Sequence, residues 1–91
     1  MHAQRTPVRF TIEQRHITDA SGRPITGEPA FHTVDAETAE DAVRLLIKRD
    51  NAELMGDIRN FPGFHAVATI KSSGGVYTLQ VGPTSESRIR V

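Results

Sequence analysis

The chain has 91 residues, with 11 Lys and Arg against 11 Asp and Glu, no Cys and no Trp. This length allows one small domain, and a net charge of zero argues against a uniformly basic nucleic-acid-binding protein or an acidic tail. The lack of Cys excludes disulfides, thiolate zinc sites and Cys nucleophiles. Because no long apolar run is present, we expect a cytoplasmic protein without a signal peptide or a membrane span.

The first predicted element is a strand from Val8 to Thr18, where apolar and polar residues alternate as in a half-buried strand. The alternation shifts at His16-Ile17, which indicates a bulge or the end of the buried part. Residues 19–27 contain turn-forming Gly, Pro, Asp and Ser and predict a hairpin loop. A second strand is predicted from Pro29 to Val34. Proline has no backbone N–H to donate to a neighbouring strand. This strand therefore lies at a sheet edge, or Pro29 lies just outside the paired residues.

The period changes to that of a helix between Asp35 and Leu54. Thr38 is the predicted N-cap, because its hydroxyl can accept from the backbone of Asp41. The helix can end at either of two places, at Asp50-Asn51 or, after Leu54, at Gly56. The longer helix is favoured, because glycine is a common residue just past a helix end. The apolar face of this helix carries residues at i, i+3, i+4, i+7 and i+8, namely Ala39, Ala42, Val43, Leu46 and Ile47.

Residues 60–63 are predicted to form a connector, with Phe61 and Phe64 as a hydrophobic plug under the helix. Two strands follow, from Phe64 to Lys71 and from Val76 to Val81, joined by a turn. These elements predict a single α+β domain over residues 1–91. Its architecture is a ββαββ two-layer sandwich, with one helix packed on a four-stranded, mainly antiparallel sheet. Residues 1–6 and 84–91 are expected to be flexible tails.

Catalytic and cofactor-binding motifs are missing from the sequence. No two histidines have zinc-protease spacing, no Ser lies in a nucleophile elbow, and no glycine-rich loop runs from a strand into a helix. The nearest metal-like cluster is His32, Asp35 and Glu37, whose acids are better interpreted as solvated groups near a helix start. We therefore predict no enzyme, catalytic residue, metal or cofactor. A third hypothesis is an enzyme or small-ligand carrier with its site at a subunit interface, using His16, His32 or His65.

The neutral total hides an uneven charge distribution. Residues 35–57 carry seven acidic and three basic side chains, whereas residues 58–91 carry four basic side chains and one acidic one. An acidic helical layer and a mildly basic C-terminal part are therefore expected.

The leading hypothesis is a non-enzymatic interaction or regulatory module that binds an unknown protein partner or a second copy of itself. It rests on the thin core of a short chain and on hairpin edges, such as the strand after Pro29, that can accept a partner strand. Lys48 and Arg49 are its candidate partner-binding residues. The alternative is a nucleic-acid-binding module that uses the sheet and C-terminal cations; no membrane partner is expected. Its candidate residues are Arg9, Arg15, Lys71, Arg88 and Arg90.

Overall fold

A computed structural model describes residues 7–84. Within this range, one helix lies on one face of a five-stranded antiparallel sheet with the strand order β2-β1-β5-β4-β3. This arrangement confirms the predicted α+β class. The elements are β1 (Val8–Thr18), β2 (Ala30–Ala36), α1 (Ala39–Arg49), β3 (Glu53–Phe61), β4 (His65–Ser72) and β5 (Gly75–Pro83).

The prediction of a four-stranded sheet and a ββαββ order was wrong, because the order is ββαβββ. The additional strand is β3, whose residues the sequence pattern assigns to the end of the helix and to a connector. β3 lies at the sheet edge, and its register with β4 shifts between Met55 and Arg59. Gly56 adopts a positive φ of 79° inside this irregularity. The irregularity removes the alternation of apolar residues by which a half-buried strand is recognised.

The helix begins as predicted but ends earlier than the favoured prediction. The backbone N–H of Asp41 donates to the Thr38 hydroxyl at 3.1 Å, which confirms the N-cap. At the other end Asn51 adopts a left-handed φ of 54°. The N–H of Asn51 then donates to the Lys48 carbonyl, and that of Ala52 donates to the Ile47 carbonyl. This is a Schellman motif, so Asn51 rather than Gly56 ends the helix.

The core lies between the helix and one face of the sheet. The small side chains of Ala39 and Ala42 are buried and allow the helix to lie close to the strands. The helix contacts all five strands, whereas no element within residues 7–84 covers the opposite face of the sheet. The largest fully buried side chains are Phe10, Ile12, Val43, Leu46, Ile70 and Leu79.

The segment from Phe61 to Phe64 is not a plug under the helix. It forms the end of β3 and the turn into β4, and the two phenylalanines are 48% and 54% exposed. Gly63 and Phe64 have positive φ values of 82° and 65°, which make a tight turn at the end of the sheet. Only Phe64 reaches the core margin, where its ring centroid lies 6.4 Å from that of Phe10.

The remaining predicted strands are present, with ends that differ from the prediction by at most two residues. The register of β1 and β5 shifts between His16 and Thr18, where the sequence indicated a bulge. The predicted tails lie outside the described residues except for Thr84, whose N–H donates to the Arg9 carbonyl at 2.9 Å. Within residues 7–84, no helix has the length and hydropathy needed to cross a bilayer.

Candidate functional site

The two edge strands of the sheet differ in regularity. β2 pairs with β1 without a shift over all seven of its residues, from Gln14↔Ala30 to Val8↔Ala36. β3 is interrupted by its register shift and by Gly56. Bulges and irregular edges prevent the addition of further strands, whereas a flat edge offers a row of backbone donors and acceptors. Within the described chain, β2 is therefore the edge that is able to accept another strand.

Exposed apolar side chains flank β2 on both faces of the sheet. Phe31 is 64% exposed and lies on the face that no helix covers, since its partner Glu13 is on that face. Leu45 is 46% exposed and projects from α1 on the opposite face. A strand added along β2 would bury part of each side chain, because alternate residues of a strand point to opposite faces.

We call the space between α1 and β2 the β2 groove. One cleft of about 260 Å³ is lined by Thr33, Val34, Leu45, Leu46 and Arg49. A second cleft of about 370 Å³ continues along the same side of the helix. Its lining residues are Ala36, Glu37, Asp41, Arg44, Leu45 and Lys48. Leu45 lines both clefts. It is an exposed apolar side chain in the middle of the groove, with acidic and basic side chains around it.

The structure places both predicted partner-binding cations, Lys48 and Arg49, in this groove. Arg49 Nη2 lies 3.3 Å from His32 Nδ1, and Arg49 Nε lies 3.4 Å from Asp50 Oδ1. A guanidinium can only donate, so Arg49 is the donor and His32 Nδ1 the acceptor in this contact. His32 Nε2 then donates to Gln14 Oε1 at 2.7 Å. Through His32, the last turn of the helix is thus tied to the edge strand.

The first turn of the helix is tied to β3 through Glu40. Glu40 accepts hydrogen bonds from Arg44 Nη2 at 2.7 Å and from Asn60 Nδ2 at 3.1 Å. These bonds, that from Arg44 first, lower the pKa of the Glu40 carboxyl. Glu40 thus links the start of the helix to β3, as Arg49 links its last turn to β2.

Three of the five cations predicted to bind nucleic acid lie within the described residues, and all three are on the open face of the sheet. The register places Arg9, Arg15 and Lys71 on this face, together with Phe31 and Phe61. Phe64 is on the helix-covered side, where its ring lies against that of Phe10. Arg88 and Arg90 lie outside the described residues.

Each cation of the predicted surface that the structure describes has a carboxylate nearby. Arg9 Nε lies 3.2 Å from Asp35 Oδ1, and Arg15 Nη2 lies 2.6 Å from Glu13 Oε2. Lys71 is opposite Glu53 in the register of β3 and β4. These neighbours reduce the positive potential available to a phosphate backbone.

The three histidines of the third hypothesis are separated in the structure. His32 belongs to the β2 groove, His16 stacks on Tyr77 with ring centroids 4.2 Å apart, and His65 lies beside Gly82 on the open face. Residues 7–84 contain no group of three or more His, Asp or Glu side chains that could hold a metal ion. The absence of an enzymatic activity stays a prediction.

Asp19 is a charged group whose contacts are local to the β1–β2 loop. Its Oδ1 accepts from the Ser21 hydroxyl at 2.7 Å and from the backbone N–H groups of Ser21 and Arg23 at 2.9 Å. These bonds lower the pKa of the Asp19 carboxyl, with the Ser21 hydroxyl as the largest cause. The carboxylate organises the loop in the manner of an Asx turn.

Comparison of the chain with protein-family models, with curated proteins and with solved structures finds no match.

Proposed function

We propose that this chain is a non-catalytic protein-interaction module that binds an extended segment as an additional strand along β2. The observation that carries the proposal is the regular edge strand β2, flanked by exposed Phe31 on one face and by Leu45 on the other. In strand addition, main-chain hydrogen bonds supply affinity and alternate side chains supply specificity. The β2 edge and the β2 groove offer both kinds of contact.

The groove also favours a particular charge in the added strand. Lys48 is exposed and borders the cleft beside Leu45, and Arg49 borders the neighbouring cleft. An acidic side chain in the partner would be attracted by the positive charges of Lys48 and Arg49. Reversing the charge at Lys48 is therefore expected to weaken binding. Arg49 is a poorer test position, because its side chain also contacts His32.

Nucleic-acid binding remains the alternative proposal, with Arg9, Arg15 and Lys71 on the open face and Arg88 and Arg90 in the C-terminal segment. Phe31 and Phe61 on the same face are the observation in its favour, because exposed rings can stack on bases. The carboxylates near the described cations weigh against it. Cytoplasmic location likewise stays a proposal based on the sequence.

The proposal is tested by selecting peptides from a displayed random library on the immobilised protein. We expect the selected peptides to shift the backbone amide resonances of Ala30–Ala36 and of Leu45 on binding. Lys48→Glu should raise their Kd by about three- to tenfold, as expected for loss of one or two partly exposed charge contacts. Lys71→Glu is the matched control on the open face, and its Kd should stay unchanged.

Two outcomes oppose the proposal. Selected peptides whose shifts map away from β2 would show that another surface is used. In a parallel titration, binding of labelled single-stranded RNA that weakens steeply with salt and is lost in Lys71→Glu would support the nucleic-acid alternative instead.

A further inference from the structure

We infer that the strand added to β2 comes from a second copy of this chain, paired antiparallel about a two-fold axis at Thr33. This inference rests on the proposed function, because it names the partner of the same edge. It follows from the length of β2, from the side chains that such pairing brings together, and from the charge pattern along α1.

The strand is suited to pairing with itself. Thr33 is the central residue of Ala30–Ala36, so a two-fold axis at Thr33 pairs all seven residues with those of the second copy. The axis is perpendicular to the sheet, and both helices lie on the same face of a continuous ten-stranded sheet. No other antiparallel two-fold register engages the whole strand.

This register places no like charges opposite each other. Thr33 pairs with Thr33 of the second copy, which is a favourable cross-strand pair. Phe31 pairs with Asp35 of the second copy, and His32 pairs with Val34. The strand contains no Lys or Pro, its one charged residue is Asp35, and its pairing with β1 has no bulge, so it carries few of the features by which natural edge strands avoid such pairing.

The helix is complementary to itself under the same symmetry. Leu45 lies beside Thr33 in the β2 groove and is therefore close to the two-fold axis. Asp41 lies one turn before Leu45, and Lys48 and Arg49 lie about one turn after it. The two-fold axis reverses the direction of the second helix. The acidic start of each helix then lies beside the basic end of the other helix. The Leu45 side chains of the two copies face each other across the axis.

The size of the chain adds a reason for self-association. A domain of this length buries a smaller fraction of its surface than a larger one, and association is a common means of increasing burial. Here the pairing would cover Leu45 and part of Phe31, which are among the exposed large apolar residues of the described chain.

Cysteine crosslinking tests the inference, since the natural chain contains no Cys. The single variant Thr33→Cys places one thiol at the proposed axis, where the paired Cβ atoms of two copies would be about 4.5–5.5 Å apart. A disulfide spans about 3.5–4.5 Å between Cβ atoms, so a small approach of the two strands is enough for the bond to form. With diamide as oxidant, we expect it to form a disulfide-linked dimer at least about tenfold faster than Thr26→Cys. Thr26→Cys is the matched control, because Thr26 is also exposed but lies in the β1–β2 loop.

A charge exchange tests the helix contacts independently. Asp41→Lys should raise the dimer Kd, measured by sedimentation equilibrium, by about three- to tenfold, because it faces Lys48 and Arg49 of the second copy. Adding Lys48→Asp to the same chain should restore the Kd, since opposite charges again face each other across the axis.

The outcomes separate this inference from the proposed function. Equal crosslinking rates for the two Cys variants, or a monomer at all concentrations, would overturn the dimer, while peptide binding at β2 would still support the proposed function. Rapid crosslinking of Thr33→Cys with restoration by the double charge variant would establish the second copy as the occupant. Rapid crosslinking without restoration would overturn the helix contacts that the inference requires.

Discussion

Replacing Leu46 by alanine is expected to lower the free energy of unfolding by about 3 kcal/mol. Leu46 is fully buried between α1 and the sheet, and the helix is the one layer that covers the core within the described residues. Truncation removes apolar contacts and leaves a cavity that the close packing cannot fill completely. Since a chain of this length has a total stability of about 5–10 kcal/mol, the loss is a large part of the total.

The neighbouring leucine provides a control of identical chemistry. Leu45 is 46% exposed, and alanine is a good helix former, so Leu45→Ala should change stability by at most about 1 kcal/mol. Urea denaturation followed by circular dichroism measures both variants. Leu45→Ala should instead weaken dimerisation, whereas equal stability losses for the two variants would contradict the assigned sides of the helix.

Replacing Gly75 by alanine is the second change with a large expected effect, a loss of about 2–4 kcal/mol in unfolding free energy. Gly75 begins β5 with a φ of 128°, a conformation that L side chains rarely adopt. A Cβ at this position would overlap the carbonyl oxygen of Thr18 and lie 2.7 Å from the carbonyl carbon of Asp19. Both atoms belong to the backbone, so either the end of β1 or the start of β5 must move.

Two other glycines separate the causes of this loss. Gly56 has a φ of 79° but nothing within 4 Å of an added Cβ, so Gly56→Ala should cost about 1–2 kcal/mol through its backbone conformation. Gly27 has neither a positive φ nor a close neighbour, and Gly27→Ala should stay within about 0.5 kcal/mol of the natural chain. If Gly75→Ala and Gly56→Ala were equally destabilising in thermal or urea unfolding, the backbone overlap would be refuted.

The elements predicted best are those in which one side-chain period holds over most of the element. β1 alternates up to its bulge after His16, and α1 has its buried residues at helical spacing, so the sequence indicates both. β3 was missed because Gly56 and the register shift interrupt its alternation, and because it lies at an edge with little burial. The longer helix was favoured because Gly56 is a common helix end, whereas Asn51 supplies the left-handed residue here.

The candidate site was predicted in part. Lys48, Arg49 and the strand after Pro29 were proposed separately, and the structure brings them to the same side of the domain. The sequence pattern does not single out Leu45 and Phe31 as candidate site residues. Each is a large apolar residue at a position that the pattern of its helix or strand assigns to the exposed side. The contact of Arg49 with His32 depends on how α1 crosses β2, which a local pattern does not determine.

Hydrogen exchange at β2 tests most directly whether this edge accepts a strand. Alternate amides of Ala30–Ala36 point away from β1 and, in an unpaired edge, exchange rapidly. We expect their exchange, measured by NMR, to slow when the protein concentration is raised from about 10 μM to about 1 mM, because pairing by mass action protects them. Amides of β1 and β5 in the sheet interior should be protected at both concentrations. Rapid exchange of the outward β2 amides at both concentrations, and also with a selected peptide present, would contradict strand addition at this edge.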